Sequence, residues 1–84
     1  MRRGQVVDEH KQREWFSRNV RVRRNALRLT IHEASALVGM NPRQWQKVEG
    51  NETNATLKTL AKICTALATD IVELLSEPRK TGVS

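Results

Sequence analysis

Between Thr30 and Glu49 the chain sets two short helices back to back, with the stop signal of one and the start signal of the next inside Gly39-Met40-Asn41-Pro42. Thr30 followed three residues later by Glu33 is a capping box, in which the hydroxyl and the carboxylate each satisfy an orphan backbone N–H at a helix start. A helix therefore begins at about Ile31. Ala34, Ser35, Leu37 and Val38 give it a small-residue face, and Gly39 stands where a helix end favours a residue able to take positive φ. Asn41 is a good N-cap, and Pro42 behind it occupies the first helical position, where its missing N–H costs nothing and its fixed φ helps.

The second helix can be read by angle. At about 100° per residue, Trp45 and Val48 fall on one side, and as its only large apolar residues they face a core. Arg43, Gln46, Lys47 and Gly50 fall on the opposite side, with Gln44 on the flank. A polar outer face is common to surface helices, so this helix alone indicates only solvation. Two brief helices in so tight a turn, however, are a means of presenting one of them to a DNA groove.

The rest of the chain limits the alternatives. Eighty-four residues make one domain, close to the size at which a single core is only marginally stabilising, so dimerisation would help. No apolar run approaches the roughly 20 residues that span a bilayer, and no apolar segment follows Met-Arg-Arg as a secretory signal requires. The expectation is a soluble cytoplasmic protein without membrane attachment. The single cysteine, Cys64, excludes an internal disulfide and a cysteine-based zinc site; spaced with Leu60, Ile63 and Leu67, it reads as a small core residue. His10 and His32 are the only histidines, and His32 reads as a solvated surface residue. With no Ser/His/Asp arrangement, metal-ligand spacing or glycine-rich phosphate loop, neither an enzyme, a metal nor a cofactor is expected.

Formal net charge is +6, unevenly spread. Residues 1–28 hold nine Arg or Lys against three acids, whereas residues 29–84 hold six against six. The surplus lies wholly in the first third, a pattern that suits a polyanionic partner but also a basic helix with no ligand. That helix does not divide into apolar and cationic halves as a membrane-surface helix does, so nucleic acid fits better.

Five helices account for the chain, an all-α fold. The first begins near Asp8 or Glu9 and runs to about Arg28, with an apolar stripe of Phe16, Val20 and Leu27. A second stripe, Trp15, Val22 and Ala26, either widens the core, as expected for Ala26, or serves a partner. After the polar loop from Gly50 to Thr56, Leu57, Leu60, Ala61, Ile63, Cys64 and Leu67 recur at helical intervals and mark a core helix. Asp70 with Glu73 makes another possible capping box, starting a last helix at Ile71 that ends near Ser76, before Pro78. Residues 1–12 are thus a basic extension and the start of the first helix, 13–76 the domain, and 77–84 a disordered tail.

From Phe16 to Leu75 the chain resembles the phage repressor and Cro type of helix-turn-helix domain, the family also called Xre. The matching residues are spread over all five helices: Val20, Arg24, Leu29, Thr30, Glu33, Val38, Gly39, Asn41, Val48, Glu49, Leu57, Leu60, Cys64, Leu67, Asp70 and Leu74. The resemblance implies a compact five-helix, lambda-repressor-like DNA-binding domain. It also implies that Arg24 and Glu49 form a pair tying the first helix to the recognition helix beside the DNA backbone. A guanidinium fixed by a carboxylate can still direct its other donors at phosphate, though a purely structural ion pair would look the same. Arg43 and Lys47 match positions facing the major groove, where arginine can donate twice to guanine O6 and N7. Gln44 and Gln46 are candidates for base or backbone contacts. Arg21, Arg23, Arg24, Thr30, Asn41 and Asn51 are candidates for the DNA backbone, with Arg18 a further basic residue on the first helix.

Departures limit the transfer. Ile31 stands where many family members have a phosphate-contacting glutamine, although the helix terminus still offers backbone N–H groups. Pro42 replaces a frequent base-reading glutamine, moving readout toward Arg43. Gly50-Asn51 inverts the usual variable residue then glycine, and asparagine tolerates the left-handed conformation. Ala68 replaces a glycine at some conformational cost, and Ala34 replaces a core leucine beside the unusual bulk of Trp45, a compensation of volume. The reading is a small transcriptional regulator, a homodimer on a palindromic operator, with Val72, Leu75 and Trp15 as the dimer surface. The alternative is a protein-interaction module, an antitoxin or adaptor whose same surface binds a toxin or another protein.

Overall fold

The computed structural model describes residues 9–52 and 55–77. Five helices follow in order: α1 Glu9–Ala26, α2 Ile31–Val38, α3 Pro42–Glu49, α4 Leu57–Ala66 and α5 Ile71–Leu75. The all-α expectation holds, and α2, α3 and α5 start after the residues read as their caps, while Thr56, read only as the end of a loop, caps α4. Thr30, Asn41, Thr56 and Asp70 all have extended backbone, and their side chains accept from the backbone N–H three residues on. The two halves of the box at Thr30 and Glu33 are both made. At Asp70 only one half forms, because the Glu73 carboxylate accepts from the Thr69 hydroxyl at 2.7 Å instead.

The helix ends share a single device. At the ends of α1, α2, α3 and α4 a left-handed residue, Arg28, Gly39, Asn51 or Ala68, turns the chain, and two backbone N–H groups return to the last turn. Leu29 N–H donates to Arg24 O and Arg28 N–H to Asn25 O; the same two-bond pattern recurs after α2, α3 and α4. This is the Schellman arrangement, which satisfies carbonyls that a helix end would leave without partners. Only one of the four residues is glycine. The first helix thus stops two residues before Arg28, and Leu27 lies beyond it, 38% exposed rather than in the core.

α1 packs on α5 and α3, α2 on α3 and α4, and α4 on α5. Phe16, Val20, Ala34, Val38, Trp45, Val48, Ile63, Cys64, Leu67 and Leu74 make the buried core. Trp45 is its largest fully buried side chain, and Ala34 is equally buried in the same cluster, as expected of an exchange of volume between α2 and α3. Several expected core positions face outward. Val22 and Ala26 are exposed, so the second stripe of α1 does not widen the core, and Trp15 is half-buried. Leu37 and Leu57 are 61% and 76% exposed. Helical spacing shows which residues share a face; these helices of eight and ten residues bury a face narrower than their apolar content suggests.

Two polar side chains of α1 tie it to the far end of the chain. Asn19 Nδ2 lies 2.8 Å from both Leu74 O and Ser76 O, closing α5. Arg23 Nε and Nη2 donate to Leu67 O and Ala68 O at 2.7 and 2.9 Å, holding the turn that Ala68 makes in a left-handed conformation.

Candidate nucleic-acid interface

α3 is fixed at both ends and along its inner side. At its start Asn41 Oδ1 accepts from Gln44 N–H at 2.8 Å while Gln44 Oε1 accepts from Asn41 N–H at 3.2 Å, a second complete capping box. Trp45 and Val48 are buried as the angular reading requires, and Arg43, Gln44, Gln46 and Lys47 are exposed on the other side. Among the described residues, the side chains of Arg43, Gln46 and Lys47 take no part in the hydrogen bonds that build the fold. Gln44 differs from them: its carbonyl oxygen accepts from the cap, which fixes the side chain and leaves both amide N–H groups and one oxygen lone pair for a ligand.

The pair that the family resemblance implied joins this helix to α1. Arg24 Nε and Nη2 donate to Glu49 Oε2 and Oε1 at 2.5 and 3.1 Å, a two-point fork joining α1 to the last residue of α3. Arg24 Nη1 donates to Leu29 O at 2.8 Å, in the corner between α1 and α2. The hydrogen bond that Arg24 donates to the Glu49 carboxylate pushes the guanidinium pKa up against the opposing effect of burial, so the group is charged at every working pH. Of the five N–H donors of an arginine, one on each Nη remains for another acceptor.

Glu49 has a second partner that the sequence reading missed. Trp45 Nε1–H donates to Oε2 at 2.5 Å. The spacing of four residues on one helix was the available signal, since it brings an indole and a carboxylate to the same side.

The remaining basic residues divide by face. Arg21 is exposed three residues before Arg24, on its side of α1, and Arg28 is exposed in the left-handed turn that follows the helix. Arg18 is exposed about 120° around the helix from Arg24. Arg23, read from sequence as a backbone-contact candidate, spends its fork on the end of α4. Thr30, Asn41 and Asn51 are exposed at the start of α2, the start of α3 and the turn after α3. Val72 is 75% exposed on α5, whereas Leu75 and Trp15 are half-buried.

Cys64 is buried, and burial, with a contribution from Asp70, pushes its thiol pKa up, which keeps it protonated and unreactive. Among the described residues no group of three His, Cys, Asp or Glu stands together as a metal site, and no helix is long and apolar enough to cross a membrane. The tail assigned to residues 77–84 falls almost wholly outside the described residues, as does most of the 1–12 extension.

No family model and no curated protein matches the chain. Solved structures do. The structure described as a hypothetical transcription factor NHTF from Neisseria superposes with a TM-score of 0.79 at 22% identity, covering 96% of this chain and 91% of that one. Two structures described as the clp gene regulator ClgR from Corynebacterium glutamicum give TM-scores of 0.73 and 0.72 at 19% and 22% identity. They cover 88% and 76% of this chain, and 90% and 68% of their own. The five-helix fold is therefore shared with these proteins.

Proposed function

We propose that this protein is a small transcriptional regulator of the Xre type that binds double-stranded DNA in a sequence-specific manner. The observation that carries the reading is the outer face of α3. Arg43, Gln46 and Lys47 project from a helix locked by its caps and core, and none of the three is needed to hold the fold. Long donors on a fixed short helix suit the major groove, whose base edges offer guanine O6 and N7 to arginine or lysine. Gln44, whose amide N–H groups are uncommitted, suits a phosphate or a base acceptor. Arg24, Arg21, Thr30, Asn41 and Asn51 are assigned to the DNA backbone. Arg23 is assigned to the fold.

The likeness to NHTF and ClgR supports this reading, because those structures are described as a transcription factor and a gene regulator. The proposal includes a symmetric homodimer on a palindromic operator, the arrangement by which helix-turn-helix dimers engage half-sites about one helical turn apart. Exposed Val72, together with half-buried Leu75 and Trp15, is assigned to the dimer surface.

Selection of bound sequences from random DNA tests the reading. The expected result is a palindromic motif with half-sites spaced by about one turn. Failure to enrich any motif, with the protein folded, would instead favour the interaction module, whose docking surface would be the same exposed side of α5.

A further inference from the structure

Trp45 does more than fill space. It is fully buried, and its indole N–H donates to the same Glu49 oxygen that accepts from Arg24 Nε, both at 2.5 Å. A phenyl ring or a branched aliphatic side chain fills a core without a polar atom, whereas a buried indole must find an acceptor. Here the acceptor is the carboxylate that orients Arg24. The terminal torsion of a glutamate is broad, so a carboxylate fixed only by a flexible partner can swing. The indole is held by the core, and pinning Oε2 sets the plane of the carboxylate. The forked guanidinium must follow that plane, with Leu29 O fixing its third corner at 2.8 Å.

We propose that Trp45 is a positioning residue for DNA binding: through Glu49 it holds Arg24 so that the two uncommitted N–H groups already face a phosphate on encounter. The gain is preorganisation, because an arginine fixed before binding loses less freedom on binding. This inference rests on the reading of Arg24 as a backbone contact.

The test is a double-mutant cycle, with affinity measured on a short duplex enriched from random DNA by this protein and folding followed by thermal unfolding. Trp45→Phe keeps the ring and removes the donor. It is expected to weaken binding about fivefold in the chain that has Arg24, as one hydrogen bond of about 1 kcal/mol implies. In the Arg24→Lys background, where the fork no longer exists, it is expected to leave affinity unchanged. An equal loss in both backgrounds would show that Trp45 acts by packing alone, and no loss in either would show that it has no part in binding; both overturn the inference. Arg24→Lys binding as tightly as the natural sequence would overturn the phosphate reading itself, and the inference with it, so the two failures are distinct. If Arg24→Lys does not fold, neutral methylphosphonates placed at each phosphate in turn replace it. The position most costly to the natural protein should be less costly to Trp45→Phe, and equal costs at every position would overturn the proposal.

Discussion

Arg24 and Glu49, 25 residues apart in sequence, meet in a two-point fork whose side chains are only 12% and 9% exposed. At that burial the pair costs more to break than it contributes by existing, since removing one partner leaves the other charge without compensation. Arg24→Ala, which leaves the Glu49 carboxylate with the Trp45 indole alone, is expected to destabilise the fold by about 3 kcal/mol or more. For a domain of this size that is a large share of total stability. Urea denaturation checks it, and the double variant Arg24→Met with Glu49→Leu should be more stable than either single replacement. A loss below about 0.5 kcal/mol for Arg24→Ala would mean that the pair behaves as a solvated surface contact.

The helix ends allow a matched pair of backbone tests. Ala68 has φ of 54°, so Ala68→Gly should relieve strain and raise stability by about 0.5–1 kcal/mol in urea. Gly39 has φ of 86°, and a Cβ added there meets no atom within 4 Å. Gly39→Ala should therefore destabilise by about 1 kcal/mol through conformation alone. If Ala68→Gly instead loses stability, the Arg23 bonds to Leu67 and Ala68 have already compensated the turn and the freed backbone entropy dominates.

Charge on the two sides of α1 should separate in a salt titration. Removing one side chain that neutralises a phosphate lowers the slope of log affinity against log salt by about 0.9. Replacing Arg21 by Gln is expected to reduce the slope by about 1, whereas Arg18→Gln, further around the helix from Arg24, should change it by less than about 0.5. An equal change from the two replacements would place the DNA on a different face of the helix.

Cys64 gives the fold a dependence on alkaline pH. Its folded-state pKa is raised by burial, so the native protein holds the thiol proton more tightly than the unfolded chain does. The resulting stability is complete below the ordinary thiol value of about 8.5 and is lost as pH rises through the raised value. The unfolding midpoint should fall above about pH 8.5, and Cys64→Ala should flatten that fall whatever it does to the midpoint at neutral pH. An identical alkaline decline in the variant would assign the effect to other groups.

Helix starts were legible because caps are local chemistry: a side chain and a backbone N–H three residues away suffice, and Thr30, Asn41 and Asp70 were read without knowledge of the fold. Helix ends were half legible. Gly39 announces a left-handed turn, Asn51 permits one, but nothing in Arg28 signals it, since an arginine has no intrinsic preference for that conformation. The orientation of α3 was legible from Trp45 and Val48 because apolar residues occupy only one of its sides. On α1 the same reasoning failed for Ala26 and Leu27, whose burial depends on where neighbouring helices end. The pairing of Arg24 with Glu49 came from resemblance, and the structure adds what no pattern carried, the assignment of Arg23 to Leu67 and Ala68 and of Trp45 to Glu49.

The central claim is that α3 reads bases with its outer face, and the most direct measurement is the affinity of Arg43→Ala for an enriched duplex and for an unrelated one at the same salt concentration. The predicted result is a loss of about 1–3 kcal/mol on the enriched duplex with little change on the other. Equal losses on both would contradict the claim, reducing Arg43 to one more positive charge near the backbone.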